Sequence, residues 1–215
     1  MSSYNLEPPT KEAMATAETA YHHGDLPTAL LAAVEEIIDE QGYADLSLRE
    51  AARRAGVSHS APAYHFGDKE GMLIAFYDRG FELLYRDMLA AYEEHAAESS
   101  VERMYGIGEA YIMFAVEHRA HFEIMFRSGL AKVAHEKQHE GGDPVFGLVL
   151  QTIGELQEEG YFAEDNLIEV SLYLWSVVHG FSTILVDGSV PPALDGADLT
   201  VFLDGVLRLA VPEQN

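Results

Sequence analysis

The 215-residue chain has no cysteine and only 13 lysine and arginine residues against 36 aspartate and glutamate residues. The absence of cysteine excludes a disulfide framework and fits a reducing compartment. No apolar run approaches the roughly 20 residues that a membrane helix needs, and the first 20 residues do not form a charged-then-apolar leader. We therefore expect a soluble, cytoplasmic protein with no membrane partner.

The scarcity of basic residues gives the chain a formal net charge of −23, which opposes binding to nucleic acid. The acidity is not uniform along the chain. The segment from Gly42 to Lys69 carries four basic and three acidic residues, so it is slightly positive. This segment is the best candidate for a contact with a polyanion.

Apolar residues recur at helical spacing, and no segment shows sustained alternation with a period of two. The pattern predicts an all-α fold. A first helix begins near Asp25 and Pro27 and ends at Gly42, and a long helix begins at Asp68 with an apolar stripe that reaches Tyr92. Further helices are predicted at about 101–118, 121–127, 144–159, 164–186 and 198–209.

Two short helices joined by a tight turn are predicted between Leu46 and Lys69. Ser47 and Glu50 form a capping-box pattern, so one helix begins at Leu48, and Gly56 supplies a left-handed turn position. Ser58 is the next candidate N-cap, and Pro62 is tolerated only near a helix start. The second helix is therefore predicted from about His59 to Phe66.

The stretch HGDLPTALLAAVEEIIDEQGYADLSLREAARRAGVSHSAPAYHFGDKEGML resembles the N-terminal DNA-binding domain of the TetR family of transcriptional regulators. Residues 1–20 have no periodic apolar face and include Pro8 and Pro9, which predicts a flexible arm or a short, loosely held helix. The resemblance implies a three-helix helix-turn-helix domain (21–67) and a larger helical domain for ligand binding and dimerisation (68–215). It further implies a homodimeric repressor that binds a near-palindromic site in double-stranded DNA and is released by a small-molecule effector. In the family the long fourth helix links the two domains, and the last two long helices form the dimer interface.

The positions that match DNA-contacting positions of the family are small, polar, aromatic or basic. Lys69 begins a helix, where backbone N–H groups favour a phosphate. Ala63 and Tyr64 depart from the tyrosine and basic residue that many family members carry there. The predicted DNA contacts are Ser47, Arg49, Ser58, His59, Ser60, Ala63, Tyr64, His65 and Lys69.

The stretch LWSVVHGF resembles the Trp-x-x-x-His-Gly signature of a subgroup of TetR C-terminal domains. Trp175 and His179 lie one helical turn apart, and they belong either to a pocket wall or to a plain core at a close helix crossing near Gly180. A mostly apolar effector is implied by the resemblance. The candidate pocket residues are Met88, Tyr92, Tyr105, Tyr111, Phe114, Phe122, Met125, Phe126, Trp175 and His179.

One motif supports a different function. His135, Glu136 and His139 form H-E-x-x-H, which on a helix places two zinc ligands beside a general base. The motif makes a zinc-dependent hydrolase the alternative function. The surrounding Lys137, Gln138 and glycines are typical of a solvated loop, so we favour the interpretation that the motif is a chance match. The sequence has no glycine-rich phosphate loop or nucleophile elbow. We expect no enzyme activity, no cofactor and no resident metal.

Overall fold

The computed structural model describes residues 26–126, 129–130, 144–190, 192–194 and 196–211. Within these ranges every regular element is helical, so the predicted all-α fold is confirmed. The α-helices are α1 Leu26–Gln41, α2 Leu48–Arg54, α3 Ala61–Phe66, α4 Lys69–Glu94, α5 Ser100–Glu117, α6 Arg119–Phe126, α7 Pro144–Glu158, α8 Leu167–Asp187 and α9 Leu203–Ala210. Three 3-10 helices occupy Tyr43–Asp45, Pro192–Leu194 and Leu199–Phe202.

The described residues form two compact units divided between Met72 and Leu73. The division falls inside α4, which is therefore shared between the smaller helix-turn-helix unit and the larger helical unit. The predicted limits at residues 20 and 67 remain predictions.

The core of the first unit is made by one face of α1 against the small residues of α2. Ala51 and Ala52 of α2 are fully buried, so the two helices can approach closely. The apolar face predicted for α1 is largely buried through Leu30, Val34, Ile37 and Ile38. Small residues in α2 thus let a seven-residue helix be held by tertiary packing rather than by its own length.

The predicted helix boundaries in this unit depend on identifiable caps. The Ser47 hydroxyl accepts a hydrogen bond from the Glu50 N–H at 3.2 Å, which fixes the start of α2. Gly56 and Gly67 follow α2 and α3 with φ of 67° and 80°, values that favour glycine. Asp68 accepts a hydrogen bond from the Gly71 N–H at 2.8 Å at the start of α4.

The predicted start of α3 was two residues too early. Ser60, not Ser58, occupies the N-cap position, and His59 lies in the preceding turn. Pro62 is buried at the beginning of the helix, where its missing N–H has no partner to lose. His59 and Ser60 are therefore turn residues immediately before α3.

The second unit packs α5 and α6 against the later turns of α4. Leu73, Tyr77, Leu84 and Met88 of the predicted α4 stripe are buried, while Phe81 and Tyr92 are half-buried. The Ser99 hydroxyl caps α5 by accepting a hydrogen bond from the Glu102 N–H at 3.3 Å. Most of α5 is buried, so this helix lies at the centre of the unit.

Two helices at the end of the chain begin later than predicted. The Asn166 side chain accepts hydrogen bonds from two N–H groups of α8, so the helix starts at Leu167 instead of residue 164. Asp198 caps the 3-10 helix Leu199–Phe202, and the α-helical geometry begins only at Leu203.

Helix α8 corrects the expectation that no segment is apolar enough for a membrane. Its 21 residues have the length and composition of a membrane-spanning helix. Within the most apolar 18-residue segment of the helix, only 22% is buried by the rest of the chain. The exposed apolar residues of α8 include Ile168, Leu172, Tyr173 and Ile184. A large part of this helix therefore lacks cover from its own chain.

The turn between α2 and α3 can be tested through Gly56. A methyl group there meets no atom within 4 Å, so Gly56→Ala tests backbone conformation alone. An L-residue at φ of 67° should lower the free energy of unfolding by about 1–2 kcal/mol. Gly147→Ala, also without a clash but inside α7, should instead stabilise by up to about 1 kcal/mol. Chemical denaturation of both variants measures the difference, and equal effects would contradict the assignment.

Candidate functional site

One candidate site lies on the first unit and is defined by the nine predicted DNA contacts, which we call the reading surface. Lys69 is half-buried. The other eight residues are exposed, namely Ser47, Arg49, Ser58, His59, Ser60, Ala63, Tyr64 and His65. Tyr64 is strongly exposed, with 86% of its surface accessible, and its ring packs edge-on against His65. No described partner holds the Tyr64 hydroxyl, so this side chain is available for a contact.

The arginines of α2 are divided between structural and unpaired roles. Arg54 donates to Glu40 at 2.6 Å and to Glu50 at 3.0 Å, and Arg53 donates to Glu50 at 2.6 Å. Hydrogen bonds from Arg53 and then Arg54 lower the pKa of Glu50 to about 2. These two guanidinium groups are therefore neutralised by carboxylates of the same unit.

Arg49 differs from its neighbours, because no carboxylate among the described residues forms an ion pair with it. The Lys69 side-chain nitrogen donates to the neutral Ala44 carbonyl oxygen at 2.9 Å rather than to a carboxylate. The positive charge that remains available on the reading surface is thus carried by Arg49 and Lys69. Net charge counted from the sequence could not separate them from Arg53 and Arg54.

The second candidate site is a cavity of about 390 Å³ inside the second unit. This volume falls within the ~300–1,000 Å³ range of small-molecule pockets. Helices α4 to α9 all contribute to its wall, which is almost entirely aliphatic, aromatic or thioether. The lining residues are Tyr77, Phe81, Leu84, Met88, Met104, Tyr105, Ile107, Gly108, Tyr111, Met125, Phe126, Val145, Phe146, Val149, Ser171, Leu172, Leu174, Trp175, Val178, Leu207, Ala210 and Val211.

Six of the ten predicted pocket residues lie on this wall, namely Met88, Tyr105, Tyr111, Met125, Phe126 and Trp175. The other four lie elsewhere. Tyr92 donates to Glu155 at 2.6 Å at the opposite end of the α4 stripe, and this bond raises its pKa. Phe114 packs against His118, and the rings of Phe122 and His179 are tilted against each other with 5.3 Å between their centroids. These four residues are not among the lining residues of this cavity, and their contact with a ligand stays a prediction.

Trp175 and His179 share one partner. The Tyr111 hydroxyl lies 2.9 Å from His179 Nδ1, and the Trp175 Nε1–H donates to the same hydroxyl oxygen at 3.4 Å. Burial raises the pKa of Tyr111, so its phenol is neutral at physiological pH. The Tyr111–His179–Trp175 trio therefore joins α8 to α5 directly beside the cavity.

The cavity also contains residues that the sequence interpretation missed. Leu207 and Val211 come from the end of the chain, and Val145, Phe146 and Val149 come from α7. The apolar face of α7 was visible in the sequence, but no signal distinguished a face on a void from a face on another helix. The C-terminal contribution depends on a Tyr105 hydroxyl that donates to the Val211 carbonyl oxygen at 2.6 Å.

The histidine motifs do not form a described metal centre. His135, Glu136 and His139 lie outside the described residues, and the described residues contain no group of three or more potential ligands placed around one point. His121 is buried and its ring stacks on Phe76, whose carbonyl oxygen lies 3.2 Å from Nδ1. Burial and then the charge of His118 lower the pKa of His121 to about 4, which is consistent with a neutral core histidine.

The contribution of the Tyr111–His179–Trp175 trio to stability can be tested with Tyr111→Phe. The change keeps the ring but leaves the Trp175 N–H and His179 Nδ1 without their shared partner, which should cost about 1–3 kcal/mol of unfolding free energy. Tyr85→Phe on α4 is the matched control, because no hydrogen bond holds that hydroxyl among the described residues, and its effect should stay within about 0.5 kcal/mol. Urea denaturation of both variants provides the measurement; equal stability would show that the trio contributes nothing.

Comparisons with known proteins identify both units. The family described as "Bacterial regulatory proteins, tetR family" matches residues 30–82. The family described as "Tetracyclin repressor-like, C-terminal domain" matches residues 104–208, which contain α8 and much of the cavity wall. Together these two matches cover most of the chain.

Relatives extend over nearly the full length. A protein of unknown function from Rhodococcus sp. RHA1 has 30% identity and a TM-score of 0.66, covering 88% of this chain and 93% of its own. An uncharacterized HTH-type transcriptional regulator, YobS of Bacillus subtilis (strain 168), is 25% identical, covering 81% of this chain and 89% of its own. The structure of the regulator FadR from Bacillus subtilis in complex with stearoyl-CoA has 16% identity and a TM-score of 0.65, covering 87% of this chain and 99% of its own, and supports the fold alone. The chain belongs to the TetR family of DNA-binding transcriptional regulators.

Proposed function

We propose that this regulator is a homodimeric repressor that leaves its operator when a small molecule occupies the cavity of the second unit. The observation that carries the proposal is the pairing, in one chain, of an exposed reading surface with an apolar cavity. DNA is the partner of the first and a small-molecule effector is the partner of the second. Such a protein acts in the cytoplasm, where the operator is accessible.

The reading surface suggests how the contacts with double-stranded DNA divide. Arg49 and Lys69 keep charges that can meet phosphates, and Ser47 lies at the N-terminus of α2, which favours an anion. Ser58, His59, Ser60, Ala63, Tyr64 and His65 surround the short α3 and supply the side chains that approach bases or sugars. Because α3 has only six residues, the turn before it contributes as much as the helix itself.

The effector signal is proposed to travel along α4. This helix begins with Lys69 and carries Tyr77, Phe81 and Leu84 on the cavity wall. A ligand that displaces these side chains biases the direction of a continuous helix whose first turn carries a proposed phosphate contact. The Trp-x-x-x-His-Gly subgroup assignment is also a proposal, and the shared hydrogen bonds of Trp175 and His179 with Tyr111 support it.

The homodimer is proposed from the exposed apolar surface of the last helices. Ile168 and Ile184 of α8, Val201 and Phe202 of the 3-10 helix, and Leu209 of α9 are all exposed. A water-soluble monomer rarely leaves so many large apolar side chains uncovered, and a second copy supplies a self-complementary cover. Two reading surfaces roughly one DNA turn apart, about 34–36 Å, would then meet a near-palindromic site.

The phosphate contacts can be tested by comparing Arg49→Ala with Arg53→Ala. Both side chains lie on α2, but only Arg53 is paired with Glu50. Arg49→Ala should weaken binding to specific and unrelated DNA by similar factors and reduce the slope of log K against log salt by about 0.9. Arg53→Ala should leave the slope nearly unchanged.

Fluorescence anisotropy with DNA from beside its own gene, measured at several salt concentrations, gives both slopes. Lys69→Ala should behave like Arg49→Ala, because each removes one charge from the reading surface. A full wild-type slope in Arg49→Ala would contradict the division between free and paired arginines.

The dimer can be tested with Leu209→Glu. Leu209 is 80% exposed on α9, so its replacement should not disturb the packing of the chain itself, while a buried charge at a subunit interface is costly. Light scattering should show a shift toward monomer. Tyr64→Glu provides the control, since Tyr64 is similarly exposed but lies on the reading surface. A wild-type monomer, or an unchanged dimer in Leu209→Glu, would refute the proposed interface.

A further inference from the structure

We propose that the effector is an uncharged, apolar molecule that binds in the cavity, and that anionic amphiphiles such as acyl-coenzyme A thioesters are rejected. This inference rests on the proposed function, because it specifies the ligand class of the same cavity. It separates this chain from the FadR structure that was crystallised with stearoyl-CoA, with which it shares the fold.

The first argument is the chemistry of the wall. None of the described lining residues is an aspartate, a glutamate, a lysine, an arginine or a histidine. The wall contains three thioethers, Met88, Met104 and Met125, together with aromatic rings from five helices. Thioethers adapt to irregular apolar shapes, whereas an unpaired charge transferred into such surroundings costs several kcal/mol. The wall therefore favours a ligand without formal charge.

The second argument is that the polar atoms of the wall are already engaged. The Tyr105 hydroxyl donates to the Val211 carbonyl oxygen, and the Ser171 hydroxyl donates to the Ile168 carbonyl oxygen at 2.8 Å. The Tyr111 hydroxyl is held by His179 and Trp175. An anion would have to break one of these bonds to gain a donor, and the loss would offset the gain.

The third argument concerns the cations around the cavity. The Arg208 guanidinium lies over the Tyr105 ring, 5.0 Å from its centroid, but donates to Asp204 at 2.9 Å. Arg103 donates to Glu155 at 2.9 Å. Both arginines are thus paired with carboxylates, and the net charge of −23 further opposes the approach of an anion.

The volume of the cavity also argues against an acyl-coenzyme A ligand. A cavity of about 390 Å³ is near the lower end of the ~300–1,000 Å³ range that holds drug-sized ligands. A compact apolar molecule fits such a volume, whereas a long acyl chain joined to a nucleotide cannot be enclosed by it. The coenzyme would have to remain outside, beside a strongly acidic protein.

Two fluorescent probes with the same ring system test whether the cavity prefers an uncharged ligand to an anion. N-phenyl-1-naphthylamine is neutral, and 1-anilinonaphthalene-8-sulfonate adds one sulfonate to the same skeleton. The full-length protein should bind the neutral probe more than about tenfold more tightly than the sulfonate, because no cationic side chain lies among the described residues of the wall. The titration should be run at high ionic strength so that the net charge of the surface is screened.

Two variants test whether the neutral probe binds in the cavity. Val149→Phe reduces the cavity volume and should weaken the neutral probe severalfold, whereas Leu150→Phe on the same helix is not on the wall and should leave its affinity unchanged. Circular dichroism checks that both variants are folded. Stearoyl-CoA should neither displace the neutral probe nor release operator DNA.

The outcomes distinguish the inference from the proposed function. Equal or tighter binding of the sulfonate, displacement by stearoyl-CoA, or insensitivity of the neutral probe to Val149→Phe would overturn the ligand class while operator binding persists. Loss of operator binding in the wild-type protein would instead refute the regulator proposal, whichever probe binds.

Discussion

In the second unit α4 and α6 approach closely at Gly80, where any larger residue would require the Met125 side chain to move. A methyl group on Gly80 would lie 2.5 Å from the Met125 sulfur and 3.2 Å from His121 Nδ1. Without that methyl group, His121 can stack on Phe76 and Met125 can reach the cavity wall. One missing side chain thus sets the position of a buried histidine and of a residue proposed to contact ligand. The lowered pKa of His121 follows from the same burial, and its neutral form can occupy the core.

The acidic composition is compatible with DNA binding because some basic side chains of the first unit are not paired with carboxylates. In the first unit, Glu40 and Glu50 neutralise Arg53 and Arg54; the Arg54–Glu40 pair joins α2 to α1, and the Arg53–Glu50 pair lies within α2. Arg49 and Lys69 remain for phosphates. With so few basic contacts, specific recognition would depend strongly on salt and on uncharged side chains such as Ser60 and Tyr64. Surface ion pairs contribute little stability individually, so their main effect here is to decide which cations are available.

The helix boundaries could be predicted from the sequence because residues close to each boundary determine where the helix begins or ends. Ser47, Ser99 and Gly67 act through hydrogen bonds or backbone conformations within three residues, and the predicted helix limits near them agree with the structure. The error at α3 arose because Ser58 and Ser60 are both plausible caps. The cavity was less predictable, since helical periodicity identifies an apolar face but not what that face meets. Tyr92 and Phe114 share that periodicity with Met88 and Tyr111, yet only the latter two face the void.

The spacing of Trp175 and His179 gains a physical explanation from Tyr111. Residues four apart on α8 place both ring nitrogens at one side of the helix, where a single hydroxyl from α5 accepts a hydrogen bond from Trp175 Nε1–H and shares a second with His179 Nδ1. Trp175 also lines the cavity, while Ile168, Tyr173 and Ile184 of α8 are exposed. The same helix therefore offers one face to the proposed ligand and another to the proposed second copy of the chain. A ligand that shifts Trp175 would strain its hydrogen bond to Tyr111 and move a helix of the dimer interface, so cavity occupancy and subunit geometry would be linked through one rigid element.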